Sequence, residues 1–486
     1  MEERDDINLN VAKFYKRRRK NNWRLNYHLE APFGLINDPN GLVQYKGEYH
    51  IFFQWNPFSC EHRFKHWGLF KTKDFINYTY PKAVLQPNNR FDKNGVYTGS
   101  GYALDDRIEL LYTGNVKNKY GKRESYQCRA ICDENGNVEK KGIVVNKIPK
   151  GYTTSFRDPK IFERNGKYYF IIGAQTKDLK GRVLLYSSSD FEKWNYEGEI
   201  KTSYDDFGYM WECPNLINID GKDILIFSPQ GLEREEFRYQ NIYQAGYIVG
   251  NLNFETLEFV HGEFEELDFG TDFYAPQIFK DENKREIMFG WMGLPEEEKY
   301  HPTASKGWVY SLTMPRELKI KDNKIYQIPL NEMSSLRKDK IESLENEKIE
   351  SWKSVNIKEN SYELILEVEK SEASQFEMKM AMSENEYSSL KIDFENNYGI
   401  FDNSEMLKGL KSIRKFKFKD NMDKINIHMF MDKSAIEIFI NDGEVVISSR
   451  IYPKEGSNEL EIISADGKVI INKLELWNLG AFKFNQ

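Results

Sequence analysis

The chain has 486 residues, 40% of them hydrophobic and 30% charged, which excludes a disordered or fibrous protein and leaves room for two globular domains. A net charge of −7, from 69 basic against 76 acidic residues, excludes a general nucleic-acid binder. No apolar run approaches the length of a bilayer span, and the opening MEERDDINLN is acidic and polar, unlike a secretory signal. A cytoplasmic protein is therefore expected, with no membrane partner.

The basic run Lys16-Arg17-Arg18-Arg19-Lys20 reads as the solvated side of a short N-terminal helix rather than as a localisation or nucleic-acid patch. From about residue 24 to 320, short strands follow one another. Residues 47–55, 107–115, 166–175, 181–189 and 222–230 are rich in β-branched and aromatic residues and bounded by turn pairs such as Lys46-Gly47, Asn165-Gly166 and Asp220-Gly221. The 29 Tyr, 32 Phe and 9 Trp suit such strands, and a minority of them would suit the apolar face of a sugar ring. About 300 residues is large for one sandwich or barrel, so a propeller of four-stranded blades fits better. Residues 331–350 are polar, charged and almost free of aromatics, and read as a linker with some helical tendency. Alternating strands then recur at 361–370, 376–382, 424–430, 434–442 and 468–479, the pattern of a β-sandwich. The expected division is a propeller over 1–335, a linker over 336–350 and a sandwich over 351–486. Cys60, Cys128, Cys132 and Cys213 have no zinc-like spacing and read as free thiols of a reducing compartment.

Three acidic segments could carry chemistry. In Asn37-Asp38-Pro39-Asn40-Gly41, Pro39 biases Asp38 toward an extended backbone and Asn40-Gly41 makes a tight turn. Arg157-Asp158-Pro159 repeats the Asp-Pro pair with a cation alongside that would keep Asp158 ionised. Glu212 lies between Trp211 and Cys213, surroundings that resist ionisation, as a general acid requires. Alone, each reads as a turn, a surface ion pair or a strand end. Together they are candidates for the carboxyl pair of retaining glycoside hydrolysis, a reaction whose two carboxyls stand about 5–5.5 Å apart.

The combination resembles glycoside hydrolase family 32, the invertase and sucrose-phosphate hydrolase family. INDPNG, FRDP and WECP stand in that family's order, and HIFFQWNP (50–57), HWG (66–68), GVYTGS (95–100), LLYTGN (110–115), DFYAPQ (272–277), FGWMG (289–293), SLTMPREL (311–318) and residues 434–453 also match its blocks. The resemblance runs over nearly the whole chain from about residue 24. It implies an all-β protein, a five-bladed β-propeller followed by a β-sandwich. It also implies Asp38 as nucleophile, Glu212 as acid/base and Asp158 as transition-state stabiliser with Arg157 beside it. Asn37, Gln54, Trp67, Tyr97, Thr98, Tyr274 and Trp291 fall where relatives line the fructose pocket.

One departure concerns substrate choice. Many relatives carry a Trp eight residues after the Gln of the second motif, whereas this chain has His62, in the basic run Cys60-Glu61-His62-Arg63-Phe64-Lys65-His66. His62, Arg63, Lys65 or a pair of them are candidates for the phosphate of sucrose 6-phosphate; a solvated loop is the other reading. The activity implied is hydrolysis of sucrose 6-phosphate, sucrose or both, with no metal or other cofactor. An exo-fructanase or fructosyltransferase on the same site, and a catalytically silent sugar-binding protein, remain open alternatives, as does homo-oligomerisation through the sandwich.

Overall fold

The computed structural model describes residues 2–17, 21–354, 357–418 and 422–485. It opens with a helix, Glu2–Arg17, which buries Ile7 and Val11 against the first sheet. Lys16 is exposed in its last turn, where a cation suits the helix dipole, and residues 18–20 of the basic run lie outside the described residues.

Strands then assemble into successive antiparallel sheets, each entered at its innermost strand. Those first strands are Gly34–Tyr45, Val96–Ala103, Tyr152–Arg164, Met210–Ile219 and Tyr274–Lys280. They surround a common axis and bond to one another across it. Ser100 Oγ donates to the Pro159 carbonyl at 2.8 Å, Gln277 Nε2 to Gly99 at 2.9 Å, and Asn215 Nδ2 to Pro276 at 2.9 Å. Trp308–Val309 runs parallel to the start of the first sheet while Ser311–Leu312 pairs with Glu286–Met292 of the last, so this short segment joins the two ends of the ring. The arrangement is a propeller, with the core lying between sheets: Trp55, Phe53 and Phe70 in one layer, Trp211, Phe227 and Phe264 in another.

A sandwich of two six-stranded sheets follows, packed through Leu364, Leu366, Met378, Met380, Ile427, Met429, Ile462 and Leu474. The charged stretch read as a linker is different from that expectation. After a 3-10 turn at Asn331–Leu336, Arg337–Ile349 is a strand paired with Val469–Leu479. It is an edge strand, and edges carry charge because one side faces water; that composition hid its extended form. The last strand, Lys483–Asn485, leaves the sandwich and lies parallel to Asn77–Thr79 in the first propeller sheet.

Candidate active site

All five innermost strands change register at the same level. The shifts fall between Ile36 and Pro39, Val96 and Gly99, Arg157 and Lys160, Glu212 and Asn215, and Tyr274 and Gln277. A bulge bends its strand and re-aims the side chains beside it. Here that turns Asp38, Thr98, Asp158, Cys213 and Tyr274 toward one cavity of about 130 Å³. Asp158 takes φ 72° and Cys213 φ 48°, so the extended backbone expected at Asp158 is replaced by a left-handed one that the bulge requires. A larger cavity, about 820 Å³, lies at the opposite ends of the same strands and contains none of the three carboxylates, so it is not the seat of the chemistry.

The small cavity gathers Asn37, Asp38, Gln54, His62, Tyr97, Thr98, Arg157, Asp158, Glu212, Tyr274 and Trp291, together with Lys65, Cys213 and Pro295. Trp67 is the expected residue that does not line it. Its side chain is fully buried behind the wall, where the indole Nε1 donates to the Tyr97 carbonyl at 3.1 Å.

Asp38 accepts a short hydrogen bond from Thr98 Oγ1 on one oxygen and one from Asn37 Nδ2, at 3.0 Å, on the other. Asn37 is itself fixed: Lys65 Nζ donates to its Oδ1 at 2.5 Å and its Nδ2 also donates to Gln54. Burial pushes Asp38 above the ordinary carboxylate range; Thr98 and Asn37 act against burial, Glu212 adds to it, and the Lys65 cation counters. Burial pushes the Lys65 amine down to about 7, against the pull of Asp38 and Glu298. Burial and the neighbouring Glu212 likewise push Asp158 up, opposed by Arg157. The Cys213 amide donates to Asp158 Oδ2 at 3.1 Å, and the Cys213 thiol lies 3.6 Å from Asp158 and 3.8 Å from Asp38.

Glu212 is held by four donated bonds. Arg157 Nε and Nη2 reach Oε1 at 2.7 and 2.5 Å, and Gln230 Nε2 and Tyr274 Oη reach Oε2 at 2.9 and 2.7 Å. Two expectations are corrected by this geometry. Arg157 grips Glu212 rather than its sequence neighbour Asp158. Nor do both apolar flanks enclose the Glu212 carboxyl: Cys213, turned by the bulge, lines the cavity with it, whereas Trp211 faces the other side of the strand. Trp211 points into the sheet core, where its Nε1 donates to the Phe207 carbonyl at 2.6 Å.

Two buried donors on the cavity wall, Arg157 Nη1 and Trp291 Nε1, have no partner among the described residues. Buried donors are nearly always paired, so these two are suited to hydroxyl oxygens of a bound sugar. Sequence reasoning missed Gln230, which lies in no segment with a chemical signature, and Glu298, which pairs with His62 at 2.7 Å. The 60–66 loop divides among three settings. Arg63 is exposed and bonded to Glu61, His62 packs edge-on to Trp291 with ring centroids 5.5 Å apart, and Lys65 is buried beneath Asn37.

Residues 28–329 match the glycosyl hydrolases family 32 N-terminal domain, and residues 332–478 match the family's C-terminal domain. The chain belongs to glycosyl hydrolase family 32. It is a glycoside hydrolase built, as that family is, from a propeller and a β-sandwich. Sucrose-6-phosphate hydrolase of Bacillus subtilis is 42% identical over 468 residues, covering 94% of each chain. That of Staphylococcus xylosus is 34% identical, covering 95% of this chain and 94% of its own. Among solved structures, sucrose-6-phosphate hydrolase from Lactobacillus gasseri superposes with a TM-score of 0.89 at 29% identity, over 97% of this chain and 96% of the other. A beta-fructofuranosidase mutant of Bombyx mori in complex with sucrose has a TM-score of 0.84 at 28% identity over 99% of each chain. No helix among the described residues is long and apolar enough to cross a membrane.

Proposed function

We propose that this family 32 enzyme is a retaining β-fructofuranosidase acting on sucrose 6-phosphate and sucrose, with the five sheets as five blades around the active site. The observation that carries this reading is the convergence of Asp38, Asp158 and Glu212, from three different sheets, on one small cavity with two unpartnered buried donors. Asp38, oriented by Thr98 and Asn37, attacks the anomeric carbon of the fructosyl unit. Glu212 gives a proton to the departing oxygen, and the same group then takes one from the water that releases fructose. Asp158, the innermost acid on its bulge, stabilises positive charge on the ring, and Arg157, Gln230 and Tyr274 hold Glu212 in line. Asn37, Gln54, Tyr97, Trp291 and the rim residue His62 shape the sugar site, with Trp67 backing Tyr97.

The catalytic unit spans residues 1–335 and the sandwich 351–486, with 336–350 contributing the sandwich's edge strand. Four unpaired thiols and a phosphorylated substrate go with a reducing cytoplasm.

The deciding experiment is hydrolysis of both sugars by the wild type and by Asp38→Ala and Glu212→Gln. Wild type releases β-fructofuranose first, seen by NMR. Each variant, with unchanged circular dichroism, loses at least about three orders of magnitude in kcat. Near-normal turnover in either variant would remove that residue from its role. Transfer of fructose to an added sugar in preference to water would favour the transferase alternative.

A further inference from the structure

A basic hairpin stands beside the active-site mouth. Strands Ile108–Lys117 and Arg123–Cys132 are joined by a turn, and the run Lys117–Arg123 carries Lys117, Lys119, Lys122 and Arg123 without one acid. Register pairs Lys117 with Arg123 at its base. Asn94 Oδ1 accepts from the Lys117 amide at 2.7 Å, which fixes that base to the segment leading into Tyr97. The Arg123 guanidinium lies over the Tyr97 ring, 6.0 Å from its centroid, and Tyr97 is a wall of the carboxylate cavity. Tyr97 is half-buried while its neighbour Thr98 is buried against Asp38, so this ring leads outward from the nucleophile and Arg123 stands beyond it.

Several other arginines of the propeller are held by carboxylates, as Arg107 and Arg129 are by Glu109, and Arg164 by Asp223. The other cations near the cavity are also committed: Arg157 to Glu212, Arg63 to Glu61, and Lys65 to Asn37. Arg123 and the three lysines have no carboxylate partner among the described residues. A guanidinium that is half-buried, set over a pocket ring and without a counter-ion is prepared for an anion.

We propose that Arg123, poised over Tyr97, binds the phosphate of a phosphorylated leaving group, with Lys117, Lys119 and Lys122 supplying the attracting field. This deepens the proposed function and rests on it. With the fructosyl unit at Asp38, the leaving sugar lies toward the mouth, and a phosphate on its far carbon reaches outward past Tyr97. The planar guanidinium fork matches two phosphate oxygens at once, and the surrounding lysines raise the encounter rate with a dianion.

The test is kcat/KM on sucrose and on sucrose 6-phosphate at several salt concentrations. Wild type, Arg123→Gln, Arg123→Lys and the double variant Lys119→Gln/Lys122→Gln are compared. We expect wild type to prefer the phosphorylated sugar. Arg123→Gln lowers the ratio of the two kcat/KM values about tenfold or more, mainly through KM for sucrose 6-phosphate, and Arg123→Lys recovers part of it. Salt weakens turnover of sucrose 6-phosphate in wild type, and does so less in the lysine double variant. Inhibition by glucose 6-phosphate weakens in Arg123→Gln. An unchanged ratio in Arg123→Gln, or equal losses on both sugars, would overturn the phosphate site. A wild type that cleaves sucrose as well as its phosphate overturns it too, while leaving the hydrolase reading intact. A wild type that cleaves neither removes the hydrolase reading itself.

Discussion

Lys65 shows how one side chain serves another through a third. Its ammonium fixes the Asn37 amide so that the nitrogen, not the oxygen, faces Asp38, and it is the cation that opposes burial of that carboxylate. Replacing it by methionine keeps the volume and removes both effects. As the proposed nucleophile, Asp38 must be ionised to attack, and burial already holds it above the usual carboxylate range. Loss of the cation raises it further, so the acid limb of kcat/KM moves to higher pH, and kcat falls about tenfold. A pH–rate profile of Lys65→Met checks this, and an unmoved acid limb would show that Lys65 only fills space. The basic 60–66 loop was visible in the sequence as a charge cluster. Which of its cations faces inward was not, because one left-handed residue, Phe64 at φ 52°, sits between exposed Arg63 and buried Lys65.

Bulges at a common level are the element that makes the site. Four of the five innermost strands bulge at an X-Pro pair: Asp38-Pro39, Asp158-Pro159, Cys213-Pro214 and Ala275-Pro276. The remaining strand bulges at Thr98-Gly99. Proline has no amide to offer a ladder, which suits it to a bulge. Gly99 is required for a different reason: a Cβ there would lie 1.9 Å from the Leu111 carbonyl oxygen and 2.6 Å from the Tyr112 Cα. Those are backbone atoms of the adjacent strand, so Gly99→Ala must displace the strand that carries Thr98. We expect a loss of about 3 kcal/mol, read from urea denaturation, with at least tenfold lower kcat as Thr98 leaves Asp38. The proline pairs are a repeat written in the sequence. They are too short and too dissimilar in their neighbours to be recognised before the registers align them. The edge strand 337–349 was hidden for the opposite reason, since its exposed side supplies most of its composition.

Buried charge joins the propeller to the sandwich. Arg316 is fully buried and donates to Glu437 at 2.5 Å and to Asp268 at 3.3 Å, while His28 bridges Asp432 and Glu437 at 2.9 Å each. Burial alone would lower the His28 imidazole, but its two carboxylate partners outweigh that and raise it to about 9. A folded-state value above the unfolded 6.5 means the contribution is complete below pH 6.5 and disappears as pH rises through about 9. Its size is on the order of 3 kcal/mol. Lys65 and Lys160, both pushed down to about 7 by burial, act in the opposite sense from about 7 to 10.5. The measurement is therefore the difference in denaturation midpoint between wild type and His28→Gln, which should shrink from pH 6 to pH 10. A difference independent of pH would show that His28 is held neutral. By itself the sequence determined the all-β class and the family, placed ten of the strands, and singled out three acids that line one cavity, because strand alternation, turn residues and short motifs are local signals. Only the tertiary structure decided that Arg157 serves Glu212, that Trp67 stands behind the wall, that Arg63 is spent on Glu61 and that Arg123 comes to the mouth. Those pairings join residues from different strands, and which side chains meet there is set by register and by the sense of each bulge, neither of which a linear pattern specifies.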